Sequence, residues 1–100
     1  MSESVLQEAE RLIHGPRHET YAHPLDDLGA TGRMWAAMLT GFLGHEVPDI
    51  PAEYVAMMMV AVKLSRESRH HQRDNLVDAA GYAGCAEMVI QERARRAGAK

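Results

Sequence analysis

Apolar residues recur at helical spacing through most of this chain, and the breaks in that rhythm mark out four segments. Val5, Leu6, Ala9, Leu12 and Ile13 share one face of a helix over about residues 4–14. Ser4 and Gln7 give the capping-box pattern at its start, and His14-Gly15-Pro16 stops it. A second helix follows over about residues 24–43, with Pro24 in the first turn, Asp26 and Asp27 complementing the dipole, and Leu28, Met34, Trp35, Met38, Leu39 and Phe42 as its stripe. Gly29 and Gly32 weaken its first half, each by about 1 kcal/mol relative to Ala. A loop bracketed by Pro48 and Pro51 leads into a third helix, about residues 51–69.

In that third helix residues 54–62 are apolar on every face, which predicts central burial. A buried strand is rejected, because the segment runs on through Lys63-Leu-Ser-Arg66-Glu67 at good helical propensity without a turn signal. After a turn at residues 70–73, a fourth helix spans about residues 74–96. Its run of small residues from Ala79 to Ala86 lets a neighbouring backbone approach closely. Leu76, Val77, Met88, Val89 and Ile90 are spread around its circumference, so it sits between other helices or in a subunit interface. The expectation is an all-α, four-helix bundle in a single domain covering residues 1–100. Four helices this apolar have too little polar face to cover a monomer, so a homodimer or higher homo-oligomer is expected.

Composition narrows the function. With 11 Lys+Arg against 14 Asp+Glu, the formal charge of −3 gives no footprint for duplex nucleic acid or an anionic membrane. Only residues 93–100 are locally basic, which reads as a solvated helix end. The acidic N-terminus and the interrupted apolar run behind it argue against a signal peptide, and no stretch approaches the roughly 20 apolar residues of a membrane span. One cysteine, Cys85, excludes an internal disulfide and fits a reducing, cytoplasmic setting. Seven methionines suggest an adaptable core or interface.

The chemistry concentrates where helices three and four meet. Asp74 and Asp78 lie on one side of helix four, with Gly81 and Cys85 on the same face and Tyr82 beside it. Lys63, Arg66 and Glu67 share the end of helix three, and a short turn would bring them beside the two aspartates. Glu67, Asp74 and Asp78 are the residue types that hold Mg²⁺, while Lys63 and Arg66 suit phosphate oxygens. The plainer account makes Asp74 an N-cap, Lys63 and Glu67 an intrahelical pair, and Asp78 a partner for Lys63 or Arg66. Both accounts stand on spacing alone. The loop carrying Arg17, Tyr21 and His23 could cover a pocket, and equally His23 could cap helix two.

The order Gly15-x-Arg17-x-x-x-Tyr21-x-His23-Pro24, then Trp35, then Met57-Met58-Met59-Val-x-Val-Lys63-x-x-Arg66, then Asp74-Asn75-x-Val-Asp78-Ala-Ala-Gly81-Tyr82 resembles a family of small uncharacterised helical proteins from bacteriophages and actinobacteria. A more distant similarity is to the all-α nucleoside triphosphate pyrophosphohydrolases of the MazG type, whose Glu- and Asp-bearing helices bind Mg²⁺ and split the α,β-phosphate bond. Asp78 stands in the place of that motif's Asp. The chain departs from it on helix three, where a single carboxylate, Glu67, replaces a Glu-rich pair, and in placing Asp74 four residues before Asp78 instead of three.

That resemblance implies a nucleotide-directed protein. Glu67, Asp74 and Asp78 would hold Mg²⁺, with Asp78 and Glu67 as the catalytic carboxylates. Asn75 would steady the carboxylates, Lys63, Arg66 and Arg17 would take phosphates, and Tyr21, Trp35 or Tyr82 would stack the base, with His23 beside them. Two alternatives compete with hydrolysis: a non-catalytic phage module binding a nucleotide or a host protein, and an oligomer whose interior charges form an ion-pair lattice.

Overall fold

The computed structural model describes residues 2–15 and 20–98. Four helices carry them: α1 (Val5–Ile13), α2 (Pro24–Leu43), α3 (Ala52–Arg69) and α4 (Arg73–Gly98), and no strand occurs among the described residues. Local chemistry sets the ends. The Ser4 hydroxyl accepts the Gln7 N–H at 3.0 Å while the Gln7 side chain accepts the Ser4 N–H at 2.8 Å, completing the reciprocal cap on α1. Before α2, His23 Nδ1 accepts the Leu25 N–H at 3.0 Å, with Pro24 in the position where a missing N–H costs nothing. Gly44 ends α2 in the left-handed conformation at φ 79°, where a side chain would be strained.

A short turn makes α3 and α4 an antiparallel hairpin, with Glu53 opposite Arg93 near one end and Lys63 opposite Asp78 toward the other. α1 lies on α4 and α2 packs against both α3 and α4. Small residues let α1 close in: a Cβ on Gly84 would stand 2.7 Å from Ile13 Cδ1, and one on Gly81 3.5 Å from Ile13 Cγ2. Leu28, Ala52, Val55, Ala56 and Val89 form the main buried cluster, with Leu25, Trp35, Ile50, Cys85 and Ala86 packed around it. Among the described residues no polar or charged residue is buried.

The core is thinner than the sequence suggests. Within residues 54–62, Val55 and Ala56 are fully buried, but Tyr54, Met57 and Met58 are 55%, 46% and 43% exposed. Central burial is therefore corrected: α3 is covered by α4 on one side and α2 on another, and its remaining face looks outward. Leu6, placed on the inner face of α1 by its spacing, is likewise exposed, because α1 rests on α4 alone.

Another stretch of backbone comes close to α2 at Gly32. From Gly44 the chain turns back along α2, with the Val47 N–H bonded to Thr40 Oγ1 at 2.9 Å and the Ile50 N–H to the Gly32 carbonyl at 3.4 Å. A Cβ on Gly32 would lie 2.0 Å from the Ile50 carbonyl oxygen and 3.3 Å from Val55 Cγ2. The glycine that weakens α2 by propensity is thus what allows the returning chain to lie against it.

The basic segment at the end of α4 is engaged with the fold. Arg93 forms a two-bond pair with Glu53 (2.8 and 2.6 Å), and Arg96 a two-bond pair with Asp26 (2.8 and 2.8 Å). Arg95 and Arg96 also bracket Glu92. These pairs fasten α2 and α3 to the last turns of α4, and the bidentate Arg geometry adds orientation to attraction. Arg73 does the same for α1, reaching Glu8 and the Glu3 carbonyl.

Two outcomes follow. Gly32→Ala must push backbone apart, so urea unfolding should show a loss of about 3 kcal/mol, at the upper end of the range for overpacking; a neutral substitution would refute the close approach. Hydrogen bonds from arginine hold the carboxyls of Asp26 and Glu53 below their ordinary values, and Arg95 with Arg96 hold Glu92 at about 2. Groups depressed in the folded state take up fewer protons than in the unfolded chain, so their stabilisation is present above about pH 4.5 and drains away as pH falls through about 2. Denaturant midpoints measured from pH 5 downward should fall along that window.

Candidate functional site

A cavity of about 320 Å³ lies among the helices, within the size range of small-molecule sites. Ile13 and Leu12 of α1, Leu28 of α2, Val55 and Met59 of α3 and Val77 of α4 supply its apolar wall. Tyr21, Asp27, Thr31, Asp78 and Tyr82 are its polar lining residues. The small residues of α4 make the space: with Gly81 and Cys85 on the cavity face, α1 and α4 meet without filling the volume between them and α2.

Of the residues singled out from the sequence, Tyr21, Asp78 and Tyr82 line this cavity. Asp78 receives Lys63, whose Nζ stands 3.1 Å from Oδ2; the Lys63 side chain is only 17% exposed and that of Asp78 39%. Spacing left Asp78 between an ion pair and a site. It is an ion-pair partner whose residue also forms part of the cavity wall.

Glu67 belongs to a second group, at the hairpin turn. Its Oε1 accepts the Gln72 N–H at 2.9 Å and the Asn75 side-chain N–H at 3.2 Å, and its Oε2 bonds to His71 Nδ1. Those bonds, that from His71 first, hold the Glu67 carboxyl down at about 2. Glu67 therefore ties the last turn of α3 to the first turn of α4, and Asn75 is its partner there. Asp74 is exposed in the first turn of α4, and Arg66 is exposed in the last turn of α3. His23 caps α2, and Trp35 packs on the buried cluster. Arg17 lies outside the described residues.

The row expected to converge at one tip thus divides in two, because helical rotation carries successive turns to different neighbours. Lys63 and Asp78, one turn deeper into the hairpin, reach each other, and Asp78 lines the cavity, whereas Glu67 and Asn75 meet across the turn. Among the described residues no three His, Cys, Asp or Glu side chains form a group able to hold a metal ion. Glu67, Asp74 and Asp78 are not gathered into one group here: the oxygens of Glu67 bond to three donors and an Asp78 oxygen to a lysine.

Spacing put Cys85 on the face of Asp78 and Gly81, and all three line the cavity; it did not reveal Asp27, Thr31 and Met59 as cavity residues. Asp27 reads as a complement to the α2 dipole, and only its i,i+4 relation to Thr31 beside the apolar stripe signals a second polar pair. Thr31 donates its hydroxyl to the Asp27 carbonyl at 3.3 Å. Ala22, between Tyr21 and the capping His23, holds φ at 65°, a left-handed conformation costing an L-residue roughly 1–2 kcal/mol. That strain sits at the cavity, where the chain turns into α2. The charged residues of the lining are acidic, Asp27 and Asp78, so the site suits a largely apolar molecule bearing hydrogen-bond donors.

Comparison with known proteins agrees on a phage setting. The "Gene 55 protein" of Mycobacterium phage D29 is 41% identical over 93 residues, covering 92% of this chain and 57% of the relative. The "Gene 55 protein" of Mycobacterium phage L5 is 35% identical over 88 residues, covering 86% of this chain and 52% of the relative. The chain spans little more than half the length of these curated relatives. No solved structure matches. The model for the domain of unknown function DUF6378 matches residues 4–90, nearly the whole helical region, and the chain belongs to that family.

Proposed function

We propose that this chain is a small-ligand binding module that holds a nucleotide-type molecule in the cavity between its helices without turning it over. The observation that carries the reading is the cavity itself: about 320 Å³, largely apolar, with Tyr21 and Tyr82 in its lining and carboxylate acceptors at Asp27 and Asp78. A base offers a flat apolar body with donor groups at its edge, and tyrosine rings and carboxylates are the matching partners. Lys63 is paired with Asp78, so the exposed Arg66, one turn further along α3, is the positive charge offered to a phosphate outside the cavity.

Metal-assisted hydrolysis of the MazG type has less support. It requires carboxylates gathered around a metal, and Glu67 is instead occupied with His71, Gln72 and Asn75. Binding without turnover needs only the cavity.

A panel of nucleosides, nucleoside monophosphates and triphosphates, with and without Mg²⁺, tests both readings by thermal shift and by chromatography of the recovered ligand. At a hundredfold excess over Kd, binding adds about 2.7 kcal/mol, a Tm rise of several degrees, and the recovered nucleotide should be unchanged. Release of pyrophosphate would overturn the non-catalytic reading, and a flat panel would overturn binding. Tyr82→Ala should abolish the shift.

Asp78→Ala separates the ion pair from the site. With Lys63 largely covered and Asp78 part exposed, losing the partner should cost about 1–2 kcal/mol, which Lys63→Met in the same chain should largely restore. Ligand stabilisation should stay lost in that double variant; its return would assign Asp78 to the ion pair alone.

A further inference from the structure

We infer that the outward face of the second half of α2 is the seat of a second copy of this chain, joined about a two-fold axis. This goes beyond the cavity reading and rests on different residues. The last buried residue of α2 is Ala36, and α3 begins beside Gly32; beyond Ala36 the return segment is bonded to the helix at Thr40. Residues 34–43, Met-Trp-Ala-Ala-Met-Leu-Thr-Gly-Phe-Leu, carry no charge. Met34, Met38 and Phe42 recur at i, i+4 and i+8 on one side and are 61%, 67% and 83% exposed, with Leu43 beside them at 50%.

Solubility of a lone chain argues against leaving that face in water, and the molecule's proportions agree. Its radius of gyration is 15.1 Å, against about 13 Å for a compact chain of this length. It is 20 Å thick, the depth of two helices, and 51 Å long. The exposed parts of Met34, Met38, Phe42 and Leu43 amount to on the order of 500 Å², so a symmetric pair would bury about 1,000 Å² in total, the area a specific interface needs.

The shape suits self-pairing. Gly41 has no atom within 4 Å of where its Cβ would stand, and Ala37 lies one turn before it, so a shallow step of small residues runs beside the ridge of Met34, Met38 and Phe42. A two-fold axis across α2 sets the ridge of one copy into the step of the other, the self-complementary arrangement a symmetric dimer requires. Met side chains adapt readily to such a fit.

The open space at Gly41 provides a clean test on the full chain. Gly41→Arg meets nothing in a single copy and exchanges glycine for a better helix former, yet it fills the step and adds charge to the seam. Size-exclusion chromatography with light scattering should give the wild type twice the 11.1 kDa chain mass and Gly41→Arg the single mass, with far-ultraviolet circular dichroism still helical. Phe42→Lys, at a side chain already in solvent, should also give the single mass and guards against a folding defect in the first variant. A wild type of single mass would overturn the proposal and leave the face to some other occupant. A double or larger mass that survives both substitutions would overturn it as well, by placing the contact elsewhere.

Discussion

The approach of Ile50 to Gly32 is the constraint on which the arrangement of the helices depends. Because no side chain intervenes, the connection after Gly44 can fold flat against α2 and deliver Pro51 and Ala52 beside the middle of that helix, not its end. That starting point fixes which residues of α2 are covered. Leu28, Gly32 and Ala36 pack inward, Val55 and Ala52 come to rest on them, and everything beyond Ala36 is left overhanging. One glycine therefore controls both the core beneath α2 and the bare face at its far end.

The core that results is built from small residues, and this shapes the remaining energetics. Ala9, Ala36, Ala52, Ala56 and Ala79 with Val55, Val77 and Val89 bring backbones together while burying little area per residue. Such a core holds helices close but contributes modestly, so the bidentate arginine pairs at the helix ends carry more of the orientation than in a domain with a large aromatic core. Individually, exposed pairs are weak. Placed at Arg93, Arg96 and Arg73, each where a separate helix meets α4, they select one arrangement among the several that interchangeable alanine faces would tolerate. The same economy of volume leaves the cavity, since Gly81 and Cys85 face α1 and α2 across a space that larger side chains would occupy.

Much of the helical pattern was legible in the chain because its signals are local. Ser4 with Gln7, Pro24 after His23, and Gly44 set helix ends through contacts within a few residues, and periodicity identified the segments between them. Burial was less legible. A run apolar on every face predicts enclosure, yet Tyr54, Met57 and Met58 point outward because the number of neighbours around α3 is a property of the whole arrangement. The polar row divides for a related reason. Spacing places Lys63, Glu67, Asp74 and Asp78 near one hairpin tip, but a rotation of one turn decides whether a carboxylate meets a lysine, a backbone N–H or a cavity, and spacing cannot resolve that. Asp27 was hidden because an acid near a helix start already has a sufficient explanation.

The charge distribution around the cavity bears on what kind of molecule it favours. Lys63 offsets Asp78, so the uncompensated charge in the lining is that of Asp27, on the α2 side. A phosphate driven into the cavity would face this carboxylate in a partly dry setting, where repulsion is stronger than in water. A base or sugar presenting N–H or O–H groups would instead find acceptors there. If the proposed ligand is a nucleotide, this charge pattern favours the base inward and the phosphate outward. On that proposal affinity would come mainly from the enclosed group, and a nucleoside should retain most of it.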